Sequence, residues 1–161
     1  MDQRFESAKR QSVGQLLFKA ARLWNESAIA RVRALGEPRI RVAHTAVFPH
    51  LDIQGGTRVT ELAKRMGMSK QGAQQLVDDL EEMGLVARIP DPTDKRASRV
   101  VWTERGLEGL RHGVSVLGEM ERELASSVGE AEMGELRQLL WRLLEALERP
   151  SAEGDTGQQQ G

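Results

Sequence analysis

Cysteine is absent from all 161 residues, which excludes disulfides, thiol chemistry and cysteine-ligated metals. The three histidines are His44, His50 and His112, and no two stand four residues apart on a helix. The paired-histidine spacing of helical zinc sites is therefore missing as well. No nucleophile elbow, phosphate-binding glycine loop or dinucleotide-binding glycine set occurs. No apolar stretch approaches bilayer-spanning length. The opening MDQRFESAKR has no apolar run behind its charges, as a secretory leader would. These absences lead to the expectation of a cytoplasmic protein that is not an enzyme and has no metal, no other cofactor and no membrane partner.

Charge of one sign is also scarce, since the formal net charge is −1. It is unevenly spread. Residues 1–49 hold nine Lys/Arg against four acids, residues 50–99 hold eight against eight, and residues 100–161 hold six against twelve. A bulk polyanion binder is usually basic throughout, so whole-chain charge gives no argument for nucleic acid. Such a case must rest on local placement.

What is present begins with helical periodicity. Hydrophobic residues make up 39% of a chain whose length suits one globular domain. Val13, Leu16, Leu17, Ala20, Leu23, Trp24, Ala28 and Val32 recur at three-to-four spacing and predict one face of a helix, closed by Gly36 and Pro38. A second, short apolar helix is expected through Ala43, Val47 and Phe48, interrupted near Pro49. Brief helices follow from about Thr60 to Met66 and from Ser69 to Met83. Gly67 and Gly84 sit just past their ends, where a left-handed residue is wanted, and Ser69 is a natural N-cap. Two longer stripes close the chain, Leu107 to Val128 and Met133 to Leu147, the latter ended by Pro150. The final residues, 150–161, are small and polar and predict a disordered tail. No internal repeat is found.

The two short helices joined by a glycine-containing turn form a helix-turn-helix pattern. Leu62, Ala63, Met66, Met68, Ala73, Leu76, Val77 and Leu80 make its apolar inside. Lys70, Gln71, Gln74 and Gln75 are left facing outward beside Ser69, and such side chains suit base edges and phosphates. Gly72 costs helix stability and reads as room for a partner backbone. An ordinary helical hairpin whose glutamines merely meet water stays open at this point.

The stretch IPDPTDKRASRVVWT narrows the choice. Its right end favours a strand, while Pro90 and Pro92 argue against one on the left. Flanking strands Leu85–Ile89 and Arg99–Thr103 would hold out a charged hairpin tip stiffened by the prolines. A helix-turn-helix followed by such a hairpin is a winged helix. Arg96 at the tip suits a narrow minor groove, and Asp94 is expected to hold Arg96 or Arg88 extended. Arg88 and Lys95 complete the expected DNA contacts with Ser69, Lys70, Gln71, Gln74, Gln75 and Arg96.

TELAKRMGMSKQGAQQLVDDLEEMG resembles the helix-turn-helix, and LVARIPDPTDKRASRVVWTERG the wing, of the multiple antibiotic resistance regulator (MarR) family. Asp91-Pro92-x-Asp94-Lys95-Arg96 matches the wing signature, and Thr103-Glu104-x-Gly106 matches the start of the helix after the wing. The resemblance runs from about Val13 to Arg149, in pattern rather than motif over the outer helices. It implies a homodimeric transcription regulator whose terminal regions build the interface, whose Ser69–Gln75 read the major groove, and whose Arg96 enters the minor groove. The family often carries arginine where this chain has Gln74-Gln75.

The expected fold is mainly α with a small β hairpin. One domain spans 1–149, with a dimerisation helix at 11–35, a winged helix-turn-helix at 40–103 and dimerisation helices at 104–149. The expected function is sequence-specific, double-stranded DNA binding by a ligand-responsive repressor, acting as a homodimer on an inverted-repeat operator. A helical protein–protein interaction module without specific DNA binding is the alternative. With thiol sensing excluded, the expected signal is a small aromatic acid in a crevice lined by Trp24, His44, Phe48 and His112. Trp24 and Phe48 equally suit an ordinary core.

Overall fold

The computed structural model describes residues 11–149, apart from the Lys95 side chain. The expected tail at 150–161 lies outside the described residues. Two compact units divide the chain at Gly118.

The first unit opens with helix α1 (Val13–Ala34). Its apolar stripe is mostly uncovered: only Ala28 and Ile29 are buried, whereas Leu16, Phe18 and Leu23 are exposed. The short helix expected around Val47 is two 3₁₀ turns, Val42–Ala46 and Phe48–His50. Pro49 lies within the second turn, where its ring suits a tight start but cannot supply the donor that a longer helix needs.

Strand β1 (Thr57–Arg58) then leads directly into α2 (Val59–Arg65). Gly67, at φ +64°, turns the chain toward α3 (Lys70–Glu82). Ser69 caps α3 through its hydroxyl oxygen, which accepts from the Gly72 N–H at 3.1 Å. Leu62, Ala63, Ala73, Val77 and Leu80 are buried between the two helices, with Met66, Met68 and Leu76 packed at their margin. The expected inside of the helix-turn-helix is thus its inside.

Strands β2 (Val86–Asp91) and β3 (Asp94–Trp102) form the wing, in a sheet of order β1-β3-β2, antiparallel throughout. Two expectations are corrected here. The sheet has three strands rather than a bare hairpin. The strands also run to the tip, with Pro90 paired opposite Ser98 and Asp91 opposite Asp94. Proline is admitted because β2 is an edge strand with one neighbour, and because the register breaks between Pro90 and Asp91. Pro92 and Thr93 alone make the turn, with proline at the position where a fixed φ helps.

The core joins these layers through Ile40, Val47, Leu51, Leu85, Val86 and Val100, with the Phe48 and Trp102 rings 5.6 Å apart. Helix α4 (Glu104–Val128) starts on this core. Thr103 accepts from the Gly106 N–H at 2.9 Å and donates to the Gly84 carbonyl at 2.7 Å, so one hydroxyl serves both the helix start and the preceding turn.

The second unit comprises the end of α4 and helix α5 (Glu130–Glu148). Met120 and Ala125 are buried, and Arg137 donates to Glu121 at 3.1 Å. No residue of α5 is buried. Leu136, Leu139, Trp141, Leu144 and Leu147 all stand exposed, although the spacing of their stripe is that of a packed helix.

Candidate nucleic-acid interface

The site is built on the first two turns of α3 and the tip of the wing. Ser69, Lys70, Gln71 and Gln75 are exposed and Gln74 is half-buried. A Cβ at Gly72 would lie 3.3 Å from the Ser69 hydroxyl oxygen and 3.7 Å from the Met68 sulfur. The cap itself crowds this position, which supplies a local reason for glycine.

The two glutamines do not hang free. Gln74 donates from Nε2 to Asp78 at 3.0 Å, and Gln75 donates to Asp79 at 3.2 Å, each one helical turn along. The four acids in the second half of α3 are all paired with arginines from other elements. Asp78 and Glu81 take Arg88 of β2, Asp79 takes Arg41, and Glu82 takes Arg39 at 3.0 Å. A helix with four acids beside a phosphate backbone would repel it. Pairing removes most of that penalty.

Arg88 is therefore placed differently from expectation. Asp78 and Glu81 hold its guanidinium at the base of the wing, not Asp94 at the tip. Asp94 instead accepts from the Arg96 backbone N–H at 3.0 Å, shaping the chain and leaving the exposed Arg96 side chain outside that contact. Lys95 lies between them in β3.

The wing is stiffened by a residue to which no role had been assigned from sequence. Asp91 is 2% exposed. Its carboxylate accepts from Arg58 Nε at 2.7 Å, Arg99 Nε at 2.8 Å, the Thr93 N–H at 2.8 Å and the Thr93 hydroxyl at 2.7 Å. These bonds, the Arg58 and Arg99 guanidinia first among them, hold its pKa far below the usual carboxylate range. Arg58 comes from β1, so the clamp ties the hairpin tip to the third strand. The wing signature Asp91-Pro92 could have pointed to it; the arginine partner 33 residues away could not.

The four residues expected to line an effector crevice separate into two groups. Trp24 and Phe48 line a cavity of about 320 Å³ in the first unit, together with Ile29, Val32, Trp102 and Gly113. His112 is exposed and absent from its walls. His44 is buried at 1% exposure and is likewise absent from them. Its ring faces Asp79 on α3, at 3.3 Å. Burial first of all lowers the His44 pKa, and the bond to Asp79 opposes that shift. The one carboxylate on the cavity wall, Glu37, is taken by Arg105 at 2.7 and 2.8 Å.

A capped helix-turn-helix, packed on a three-stranded sheet whose clamped hairpin projects as a wing, is a winged helix-turn-helix. The sequence pattern of the MarR family matches residues 40–97, which contain both helices, strand β2 and the tip of the wing. The chain is 28% identical over 95 residues to the transcriptional repressor MprA of Escherichia coli, a match covering 59% of this chain and 54% of that protein. It therefore spans about half the length of that curated relative. The crystal structure of transcriptional regulator PA3341 superposes with a TM-score of 0.66 at 27% identity, covering 85% of this chain and 98% of that one. Apo MarR from E. coli shares the fold, with a TM-score of 0.69 at 22% identity over 83% of this chain and 97% of that one. Over residues 40–97, the winged helix-turn-helix segment, the chain is thus similar to the MarR family.

Proposed function

We propose that the chain is a sequence-specific DNA-binding transcription regulator, a repressor acting as a homodimer on an inverted-repeat operator. One observation carries this reading. Helix α3, whose first turns are exposed, is held by ion pairs on Asp78 and Asp79 in its second half, and the wing that carries the exposed Arg96 is held by those on Asp91, frameworks that a merely solvated hairpin does not need. In this reading Ser69, Lys70, Gln71, Gln74 and Gln75 meet the major groove, Arg96 and Lys95 the minor groove, and Arg88 braces α3 from below. Repression is inferred from the likeness to MprA, a transcriptional repressor. The dimer rests on the exposed apolar stripes of α1 and α5, for which a two-fold copy is the commonest cover. Residues 11–35 and 104–149 are thus the dimerisation helices and 40–103 the reading domain. No helix among the described residues is long and apolar enough to cross a membrane, and a DNA-reading role places the chain in the cytoplasm.

The wing contact is tested by Arg96→Ala. Binding should weaken evenly across sequences, and the slope of log affinity against log salt should fall by about 1, as one phosphate-zone cation is lost. An unchanged affinity and slope would remove the wing from the interface.

The cavity supports an effector reading as a second proposal. Aromatic walls suit a small planar aromatic molecule. The lining offers no imidazole and no unpaired cation, so a carboxylate on that molecule would have to point out of the mouth. Titration with phenolic acids and with neutral phenols, followed by Trp24 emission and controlled by Trp24→Phe, should show binding of the neutral compounds at least as tight as that of the acids. It should also show release of DNA, because only differential affinity shifts the equilibrium. Silence up to millimolar concentration in both series would end the effector proposal.

A further inference from the structure

The amide of Gln75 is exposed, yet its orientation is set from the interior. The chain of bonds begins at His44, whose Nδ1 accepts from the Arg41 backbone N–H at 3.1 Å. Nε2 therefore carries the proton of the neutral ring. It donates to Asp79 Oδ2 at 3.3 Å, and the Arg41 guanidinium donates to that same oxygen. With Oδ2 occupied by two donors, Oδ1 is left for Gln75 Nε2 at 3.2 Å. An ionised carboxylate only accepts. Gln75 must therefore turn its NH₂ toward Asp79, and its carbonyl oxygen and second N–H are left to face outward in one fixed order. Without such a partner, a glutamine amide presents either order at similar cost.

We propose that Asp79, held by His44 and Arg41, is a positioning residue that sets the base preference of Gln75 by fixing its amide orientation. This rests on the reading of α3 as the recognition helix. Adenine in the major groove offers a donor beside an acceptor and is matched by a glutamine edge in one order only. The partners come from the 3₁₀ segment before the helix-turn-helix, so the framework that places α3 also selects the face of its amide. Asp78 differs, because Gln74 and Arg88 both donate to its single oxygen Oδ1.

The test uses the full-length protein and the duplex it selects from a random library, re-measured with every single-base substitution in one half-site. Gln75→Ala should flatten the preference at one base pair by roughly tenfold or more. Asp79→Ala should flatten the same base pair, leave the salt slope unchanged, and add nothing in a Gln75→Ala background. Should Asp79→Ala fail to fold by circular dichroism, Asp79→Asn carries the test. His44 and Arg41 still require an oxygen, so the asparagine NH₂ must face Gln75 and reverse its amide, and the preferred base should change. Asp79→Ala lowering affinity for all sequences alike, or costing as much in the Gln75→Ala background, would overturn the proposal. So would an unchanged preferred base in Asp79→Asn. If Gln75→Ala itself flattens nothing, the base-reading role of Gln75 falls and the proposal with it. If it does while the Asp79 variants do not, only the positioning role falls.

Discussion

Replacing Gly106 by alanine should destabilise the winged domain by about 3–5 kcal/mol. A Cβ there would overlap the Leu85 carbonyl oxygen and stand 2.8 Å from its carbon and 3.0 Å from the Trp102 ring. The obstacle is backbone, so no rotamer relieves it. Moving Leu85 would disturb the bonds its carbonyl accepts from the Thr103 N–H at 3.1 Å and hydroxyl at 3.2 Å. It would also strain the bond from the Leu85 N–H to the Leu80 carbonyl at 3.0 Å. Total stabilities of 5–15 kcal/mol are usual, so the melting temperature should drop on the order of 10 °C. Gly113→Ala is the control. It lies in the same helix with nothing within 4 Å of its Cβ, and should stabilise by up to about 1 kcal/mol through helix propensity. Thermal melts that move Gly106→Ala and Gly113→Ala alike would refute the close approach.

The second large effect concerns assembly. Leu144 is 48% exposed in the single chain, so aspartate there costs the isolated fold little. In a two-fold interface the change counts twice, once per copy, and each buried carboxylate without a partner costs several kcal/mol. Leu144→Asp should therefore scatter light as a monomer at micromolar concentration while keeping its helical circular dichroism. Affinity for a two-half-site duplex should fall by roughly 10²–10⁴-fold, because the two reading heads are no longer linked. A variant that stays dimeric and binds as before would take α5 out of the interface.

How far the sequence was legible depended on how local the cause was. Ser69, Gly67 and Gly84 announce the ends of α2 and α3 because capping is settled within a few residues. The charged hairpin after α3 is legible for the same reason. Pro90 misled, because its tolerance depends on β2 lying at the sheet edge, which no local pattern states. Strand β1 was invisible at two residues. Its contribution, Arg58 on Asp91, joins positions 33 apart in the chain. His44 looked like an effector contact on composition alone. Only the packing of the 3₁₀ segment on α3 brings its ring to Asp79, and that turns an apparent ligand residue into part of the framework behind Gln75. The stripe of α5 was read correctly as a helix face, but spacing alone does not separate a buried face from one awaiting a partner.

The central claim, that this winged helix reads DNA as a two-fold dimer, is tested most directly by selection from a random duplex library with the full-length protein. The expected result is an inverted repeat whose half-site centres lie about 10 base pairs apart, one helical turn, with affinity that falls steeply with salt. Recovery of no common sequence, or of a single unrepeated half-site bound without dependence on salt, would contradict it.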